Sequence, residues 1–171
     1  MKHRIDSRIE KRIDEVRQYC EACHGLFSLI CMLQLRHRAK DFLIKKRYDD
    51  ALECLDTAID LDSGSYKLFR LRAVCHACMG DFANSCLDAE KVILLTPNST
   101  DGYYHKGFAL FNLRRYSEAA HVFQQGLKIN PGDAILKQGF WDSVGSVSQR
   151  RTDTSIGEQA LADADHSKVN F

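Results

Sequence analysis

Apolar residues recur at steps of three and four along most of this chain, which is the spacing of one face of an α-helix. Between residues 101 and 113 such a face is formed by Tyr104, Phe108 and Phe111. A second helical face follows at residues 119–127, and it stops before Pro131 because proline cannot continue a helix. The pattern therefore predicts two helices joined by a short turn.

The same pattern returns when the sequence is compared with itself at a shift of 34 residues. An aromatic residue stands at Tyr48, Phe82 and Tyr116, and the only two prolines, Pro97 and Pro131, share this spacing. Six further columns align in the same register: Leu35, Phe69 and Tyr103; Ala39, Ala73 and Gly107; Ala51, Ser85 and Ala119; Ala58, Val92 and Gly126; Ile59, Ile93 and Leu127; and Leu61, Leu95 and Ile129. Columns of small residues are expected where two helix backbones approach closely. The repeat predicts an all-α fold, a solenoid of antiparallel helix pairs.

These columns resemble the tetratricopeptide repeat, whose fingerprint places small residues, aromatics and a proline at fixed positions. Residues 100–133 match it best, at Gly107, Tyr116, Ala119, Phe123 and Pro131. The resemblance implies three repeats, at residues 32–65, 66–99 and 100–133, that stack into a superhelix. It also implies that the first helix of each repeat lines a concave groove.

The flanking segments are predicted from their composition. Residues 1–29 carry one apolar seam on a strongly charged helix, formed by Ile5, Ile9, Ile13, Val16, Cys20, Cys23 and Phe27. This helix either packs against the first repeat, contacts a partner helix or a second copy as a coiled coil, or projects freely. Gly25 and Ser28 mark where it could break from the helix that follows.

The other end of the solenoid needs a cap, because a stack of repeats leaves an apolar face exposed at its end. Residues 133–147 are predicted to form this capping helix, which completes a repeat domain at residues 30–148. Its expected packing face consists of Ile135, Leu136, Phe140, Trp141 and Val144. Residues 149–171 are polar and poor in large apolar side chains, so they are predicted to be a disordered tail.

The charge balance and the length of the apolar stretches bear on whether this protein binds nucleic acid or membranes. Lys and Arg number 24 against 23 Asp and Glu, which gives no global attraction to nucleic acid or to an anionic membrane. The longest apolar stretch, residues 26–35, is about half of what a bilayer requires. We therefore expect a protein that binds neither nucleic acid nor membrane and is cytoplasmic, with a nuclear location possible.

Candidate chemistry is sparse. Cys20, Cys23 and His24 have the spacing of a haem attachment site, and Cys75 and Cys78 form a second Cys-x-x-Cys pair. The first would need export and a haem pocket, and the second lies within a predicted helix, where zinc pairs rarely occur. We expect packed cysteine thiols, no metal, no cofactor and no enzymatic activity, since no nucleophile stands in a recognisable motif.

The groove is the expected functional site. In the family it resembles, fixed positions of the first helix of each repeat face the groove. The resemblance therefore implies eight side chains that face a ligand: Arg36, Lys40, Lys67, Arg70, Tyr104, His105, Phe108 and Asn112. Basic residues followed by an aromatic step suit an extended peptide with an acidic part and an apolar anchor. The alternative is that the basic residues merely solvate a concave wall. The expected function is a non-catalytic adaptor or scaffold that binds a segment of a partner protein.

Two other functions remain open. Tetratricopeptide co-chaperones hold the C-terminal carboxylates of heat-shock chaperones with Lys and Asn side chains and one Arg. The matching positions here are Arg36, Lys40, Leu71, Asp101 and His105, of which only Arg36 keeps the chemistry. We therefore expect the carboxylate clamp to be broken, with Asp101 repelling the ligand. The third possibility is a scaffold that self-associates through the seam of residues 1–29.

Overall fold

The computed structural model describes residues 26–166, with side chains described for residues 29–150. This part of the chain contains seven helices and no strand. They are α1 (Leu26–Ile44), α2 (Tyr48–Leu61), α3 (Tyr66–Cys78), α4 (Phe82–Leu95), α5 (Thr100–Asn112), α6 (Tyr116–Ile129) and α7 (Ala134–His166). The all-α solenoid of helix pairs predicted from the sequence is confirmed. The N-terminal seam lies almost entirely outside the described residues, and Ser28 lies inside α1 rather than at a break.

The helices repeat with the period of the sequence. The second helices α2, α4 and α6 are each 14 residues long and begin at Tyr48, Phe82 and Tyr116, the members of the aromatic column. The turns before them also repeat, with positive φ angles of 58° at Lys46, 81° at Gly80 and 60° at Arg114. In each turn the next N–H bonds back to the preceding helix, as Asp81 does to His76 at 2.9 Å. This is the left-handed helix ending that glycine favours.

The pattern of contacts between helices divides the stack into two layers. The first helices touch one another along the stack, since α1 contacts α3, α3 contacts α5 and α5 contacts α7. The second helices α2, α4 and α6 contact only their neighbours in the chain, within the residues that the structure describes. The stack is therefore tight on the side of the first helices and open on the side of the second, which curves it around an inner wall.

Small residues allow this close stacking. Ala39 and Ala73 are fully buried, and so are Ala51 and Ala119 in the facing column. At Gly107 even a methyl group does not fit, because an added Cβ would lie 2.6 Å from the ring of Phe123. A Cβ at Gly139 would lie 2.5 Å from the same ring. Phe123 of α6 is thus held between glycines of α5 and α7.

Helix α7 packs on α6 and α5, at the end of the third repeat. Leu136 is fully buried in the cluster around Phe123, and Phe140 packs against it. The prediction for Ile135 and Trp141 was wrong, because these side chains are 63% and 66% exposed. The helical face that meets α6 is narrower than the apolar pattern of the sequence suggested.

The chain beyond residue 148 also differs from the prediction. A disordered tail was expected at residues 149–171, whereas α7 continues as a helix to His166. No proline follows Pro131, and Ala160, Ala162 and Ala164 favour helix, so nothing in the local sequence forces the helix to end. A polar composition therefore does not exclude helical structure.

A buried ionic contact joins the first two repeats. Arg72 of α3 donates from Nε and Nη2 to the two carboxylate oxygens of Asp88 on α4, at 2.9 and 2.7 Å. Its Nη1 donates to Asp56 of α2 at 2.6 Å. Asp88 is only 4% exposed, and these hydrogen bonds raise the pKa of the guanidinium. One side chain therefore connects three consecutive helices.

The glycines around Phe123 provide a test of the packing. Replacing Gly139→Ala should lower the free energy of unfolding by about 1–3 kcal/mol, because the Phe123 ring cannot move away from α5 and α7 together. Gly145→Ala, in the same helix but facing open space, should raise it by roughly 0.5–1 kcal/mol. Urea unfolding measures both, and equal effects of the two substitutions would contradict the packing described.

The ionic contact provides a second test. Asp88→Ala should lower the free energy of unfolding by about 3 kcal/mol, because it leaves the half-buried Arg72 without its main partner. Asp56→Ala removes the exposed partner of the same guanidinium and should cost less than about 1 kcal/mol. Urea unfolding should rank the two variants in this order, and the reverse order would show that Asp56 is the structural partner.

Candidate functional site

The eight predicted groove residues lie on the first helices of the three repeats. Helix α1 carries Arg36 and Lys40, α3 carries Lys67 and Arg70, and α5 carries Tyr104, His105, Phe108 and Asn112. These three helices form the inner layer of the stack. The structure describes the surroundings of each side chain, while their role in binding stays a prediction.

The first part of this wall is basic. Arg36 is half-buried and Lys40 is exposed, and neither forms an ion pair within the described residues. Lys67 is exposed, and its ammonium lies 5.9 Å from the ring centre of Tyr66. Three cationic groups therefore remain available to an anion on the inner layer.

Arg70 behaves differently from these three. Its Nη1 lies 3.6 Å from the carboxylate of Asp101 on α5, and its Nε is buried without a hydrogen-bond acceptor. Burial, and then the positive charge of Arg70, lower the pKa of His105, whereas Asp101 acts in the opposite direction. Arg70, Asp101 and His105 form one coupled cluster between α3 and α5. Its Asp101 offsets part of the positive charge that the sequence assigned to this wall.

Aromatic rings form the second part of the wall. The rings of Tyr104 and Phe108 stack at 6.2 Å, and Phe82 meets Phe108 edge to face at 6.3 Å. Asn112 donates from Nδ2 to the carbonyl oxygen of Phe108 at 2.8 Å, which occupies part of its hydrogen-bonding capacity. Phe108 is 40% exposed, so this cluster presents an apolar surface to solvent.

One contributor to this wall was not predicted. Phe82 was assigned to the aromatic packing column, yet its ring also supports Phe108. Ile135 of α7 was assigned to the cap interface, but it is 63% exposed. Ile135 follows Asp101 by 34 residues, as Asp101 follows Lys67, so the register of the repeat was a signal against its burial in the cap.

The cysteines do not form a metal site within residues 26–166, where no group of three or more His, Cys, Asp or Glu side chains could hold an ion. Cys75 is buried, and its thiol donates to the carbonyl oxygen of Tyr48 at 3.3 Å. Burial raises its pKa to about 11, so this thiol is unreactive. Cys78 is exposed, contrary to the expectation of a packed thiol. Cys20 and Cys23 lie outside the described residues.

The cluster around His105 predicts a distinctive titration. NMR should place the pKa of His105 below its ordinary value of 6.5. Arg70→Gln should raise that pKa because it removes a neighbouring positive charge, whereas Asp101→Asn should lower it further. Because the folded state disfavours the protonated ring, the contribution of His105 to the free energy of unfolding should decrease as the pH falls below 6.5. If the pKa of His105 moved in the same direction in both variants, the result would contradict this arrangement.

Relatives and solved structures of known proteins share this architecture. Residues 100–133 match the tetratricopeptide repeat family. A Hsp70-Hsp90 organizing protein of Triticum aestivum is 28% identical over 114 residues, which cover 67% of this chain and 20% of that protein. The Protein SGT1 homolog of Bos taurus is 32% identical over 96 residues, which cover 56% of this chain and 28% of that protein. The chain thus spans less than a third of the length of either relative.

The match to solved structures covers a larger share of those chains than the match to the sequence relatives does. The first tetratricopeptide-repeat domain of Spaghetti (RPAP3), solved with the HSP90 peptide SRMEEVD, has a TM-score of 0.65 at 21% identity and covers 68% of this chain and 93% of that chain. The Sgt2 domain from Aspergillus fumigatus has a TM-score of 0.67 at 18% identity and covers 71% and 82%. No described helix is long and apolar enough to cross a membrane. Residues 100–133 therefore match the tetratricopeptide repeat by sequence, and the described solenoid has the fold of tetratricopeptide-repeat domains.

Proposed function

We propose that this protein is a non-catalytic adaptor that holds a segment of a partner protein along its inner wall. The observation that carries the proposal is the division of that wall into a basic part and an exposed aromatic part. Arg36, Lys40 and Lys67 supply unpaired cations, and Tyr104 and Phe108 supply a stacked apolar surface. A ligand that satisfies both parts carries acidic residues at one end and an apolar anchor at the other.

The cluster of Arg70, Asp101 and His105 sets the boundary between these two parts. Asp101 faces Arg70 at 3.6 Å, so a ligand carboxylate near this point meets a charge that is already offset. Burial of His105 in the neutral form removes a second possible cation at neutral pH. The acidic part of the ligand is therefore expected beside α1 and the start of α3, away from α5.

A second candidate function is supported by the comparisons. The first domain of Spaghetti (RPAP3) was solved with an HSP90 peptide, and the second domain of the human RPAP3 protein was solved with the HSP70 peptide SGPTIEEVD. Such tails end in carboxylates that need several cations close together. In this chain Leu71 and Asp101 stand where clamp donors are expected, and Asp101 is ion-paired with Arg70. We place this function second because the side chains needed at those positions are replaced.

Location and activity follow from the same proposal. An adaptor of this kind requires no cofactor and no nucleophile, and we propose that it acts in the cytoplasm. The names of relatives such as the Hsp70-Hsp90 organizing proteins support a protein-binding role. These relatives are longer and contain further sequence beyond the matched region. The proposal for this chain therefore does not extend to their complete activities.

Charge reversal on the inner wall tests the groove. The double variant Lys40→Glu and Lys67→Glu should weaken binding to partner proteins at least tenfold, about 1.4 kcal/mol, while circular dichroism shows unchanged helical content. The control Lys128→Glu and Lys137→Glu makes the same charge change at exposed positions of α6 and α7 and should bind as wild type does. Quantitative affinity capture with the three full chains measures the difference.

The same proteins distinguish the two candidates. Calorimetric titration with the peptide SRMEEVD should show no saturable binding to the wild-type chain. Saturable binding that the Lys40 and Lys67 variant loses would favour the chaperone-tail function. Partner proteins captured equally by wild type, groove variant and control would reject the groove as the binding site.

A further inference from the structure

The third helical hairpin presents an exposed serine close behind two arginines. Ser117 is the second residue of α6, and Arg114 and Arg115 lie in the turn between α5 and α6. The hydroxyl groups of Thr57 and Thr96 donate to carbonyl oxygens of their own helices. The hydroxyl group of Ser117 makes no such bond within the described residues, so it is open to a reagent from solvent.

The charge pattern before this serine occurs once in the sequence. Of all serine and threonine residues, only Ser117 has basic residues at both the third and the second position before it. Ser63 is also exposed, but Asp60 and Leu61 stand at those positions. One large class of protein kinases selects serines by two such arginines, because carboxylates in the substrate site of the kinase bind the guanidinium groups.

The start of α6 opens at a low cost in free energy. Protein kinases bind the segment around the serine in an extended conformation, so Ser117 is modified when the first turn of α6 opens. Residues 112–115 are exposed, and Arg114 has a positive φ of 60°, which is strained for a residue other than glycine. Arg115 is paired with Glu118 at 2.7 and 2.6 Å. Because both side chains are more than half exposed, this ion pair adds little resistance to opening.

Helix α6 begins without a side-chain cap. Asp81 and Ser99 accept hydrogen bonds from the first turns of α4 and α5, whereas the N-cap residue of α6 is Arg115 and no side chain accepts there. The positive charge of Arg115 adds to the positive end of the helix dipole, and Glu118 is the only acidic residue in the first turn. A second negative charge at Ser117 would therefore be attracted to this end of the helix.

The first repeat shows that this position accepts a negative charge. At a shift of two repeats Ser117 corresponds to Asp49, and residues 46–48 read Lys-Arg-Tyr where the third repeat has Arg-Arg-Tyr. Helix α2 begins with two acidic residues, Asp49 and Asp50, whereas α6 begins with Glu118 alone. A phosphate on Ser117 would give α6 the second acidic group that α2 already has.

We propose that Ser117 is a phosphorylation site for an arginine-directed protein kinase. In this reaction the hydroxyl oxygen of Ser117 attacks the γ-phosphorus of ATP, the bond from that phosphorus to the bridging oxygen breaks, and ADP leaves. The hydroxyl proton passes to a basic group of the kinase. The product carries a charge of about −2 at the start of α6, where Arg114, Arg115 and the free N–H groups of the first turn bind it. Since α6 belongs to the second helices, this site does not depend on the peptide groove.

A kinase reaction with the intact, folded chain tests the site. The catalytic subunit of cAMP-dependent protein kinase with magnesium and ATP should transfer phosphate to Ser117, which tandem mass spectrometry locates. The exposed Ser63 should stay unmodified and serves as the internal control. Ser117→Ala should remove the phosphate from the peptide that contains this position. Absence of phosphate on Ser117, with a kinase that modifies an arginine-containing reference peptide, would overturn the proposal.

Substitution of the two arginines tests how the kinase recognises the site. Arg114→Gln with Arg115→Gln should lower the initial rate of phosphorylation about tenfold or more, because the kinase loses two charged contacts. The control Lys128→Gln with Lys137→Gln removes the same charge at exposed positions of α6 and α7 and should react as wild type does. Equal rates for the arginine variant and wild type would contradict recognition through these side chains.

The thermal stability of the phosphorylated chain tests the contact of the phosphate with α6. Calorimetry should show a melting temperature about 1–4 °C above that of the unmodified chain, because a negative charge stabilises the start of a helix. Ser117→Asp should raise the melting temperature by less. Ser63→Asp adds a charge just after the C-terminal end of α2 and should not raise it. An unchanged or lower melting temperature after phosphorylation would show that α6 does not bind the phosphate.

Discussion

The close approach of helix backbones at small residues is the constraint on which this structure depends. Ala39 and Ala73 meet the facing column without exposed surface, and Phe123 is held between Gly107 and Gly139. Larger side chains at these points would separate the first helices from the second. The spacing of the helices in turn decides which residues reach the inner wall and how wide the outer clefts become. The proposed binding surface therefore depends on side chains that contact no ligand.

The repeat could be predicted from the sequence because each unit solves the same packing problem at a fixed interval. The aromatic column at Tyr48, Phe82 and Tyr116 coincides with the first residue of each second helix. Contacts between repeats could not be predicted in this way. The pairing of Arg70 with Asp101 depends on side-chain conformations and on the distance between α3 and α5, which no column of the alignment encodes. For the same reason, the periodicity of α7 did not show that Trp141 would be exposed.

The inner wall draws its character from differences among the repeats. It changes from basic to aromatic along the stack, so all three repeats contribute to it. Departures from the internal repeat were therefore more informative about binding than the repeat itself, since the shared positions are needed for packing.

The left-handed turns have a consequence for the order in which the hairpins open. Only the central turn has glycine at this position, whereas Lys46 and Arg114 adopt the same backbone conformation at a cost of about 1–2 kcal/mol each. Helix α7 covers the far side of the third hairpin, so this hairpin has a neighbour on each side, as the central hairpin has. The hairpins therefore differ in their turns. Thermal opening should begin at the strained turns of the first and third hairpins, and the central turn should open last.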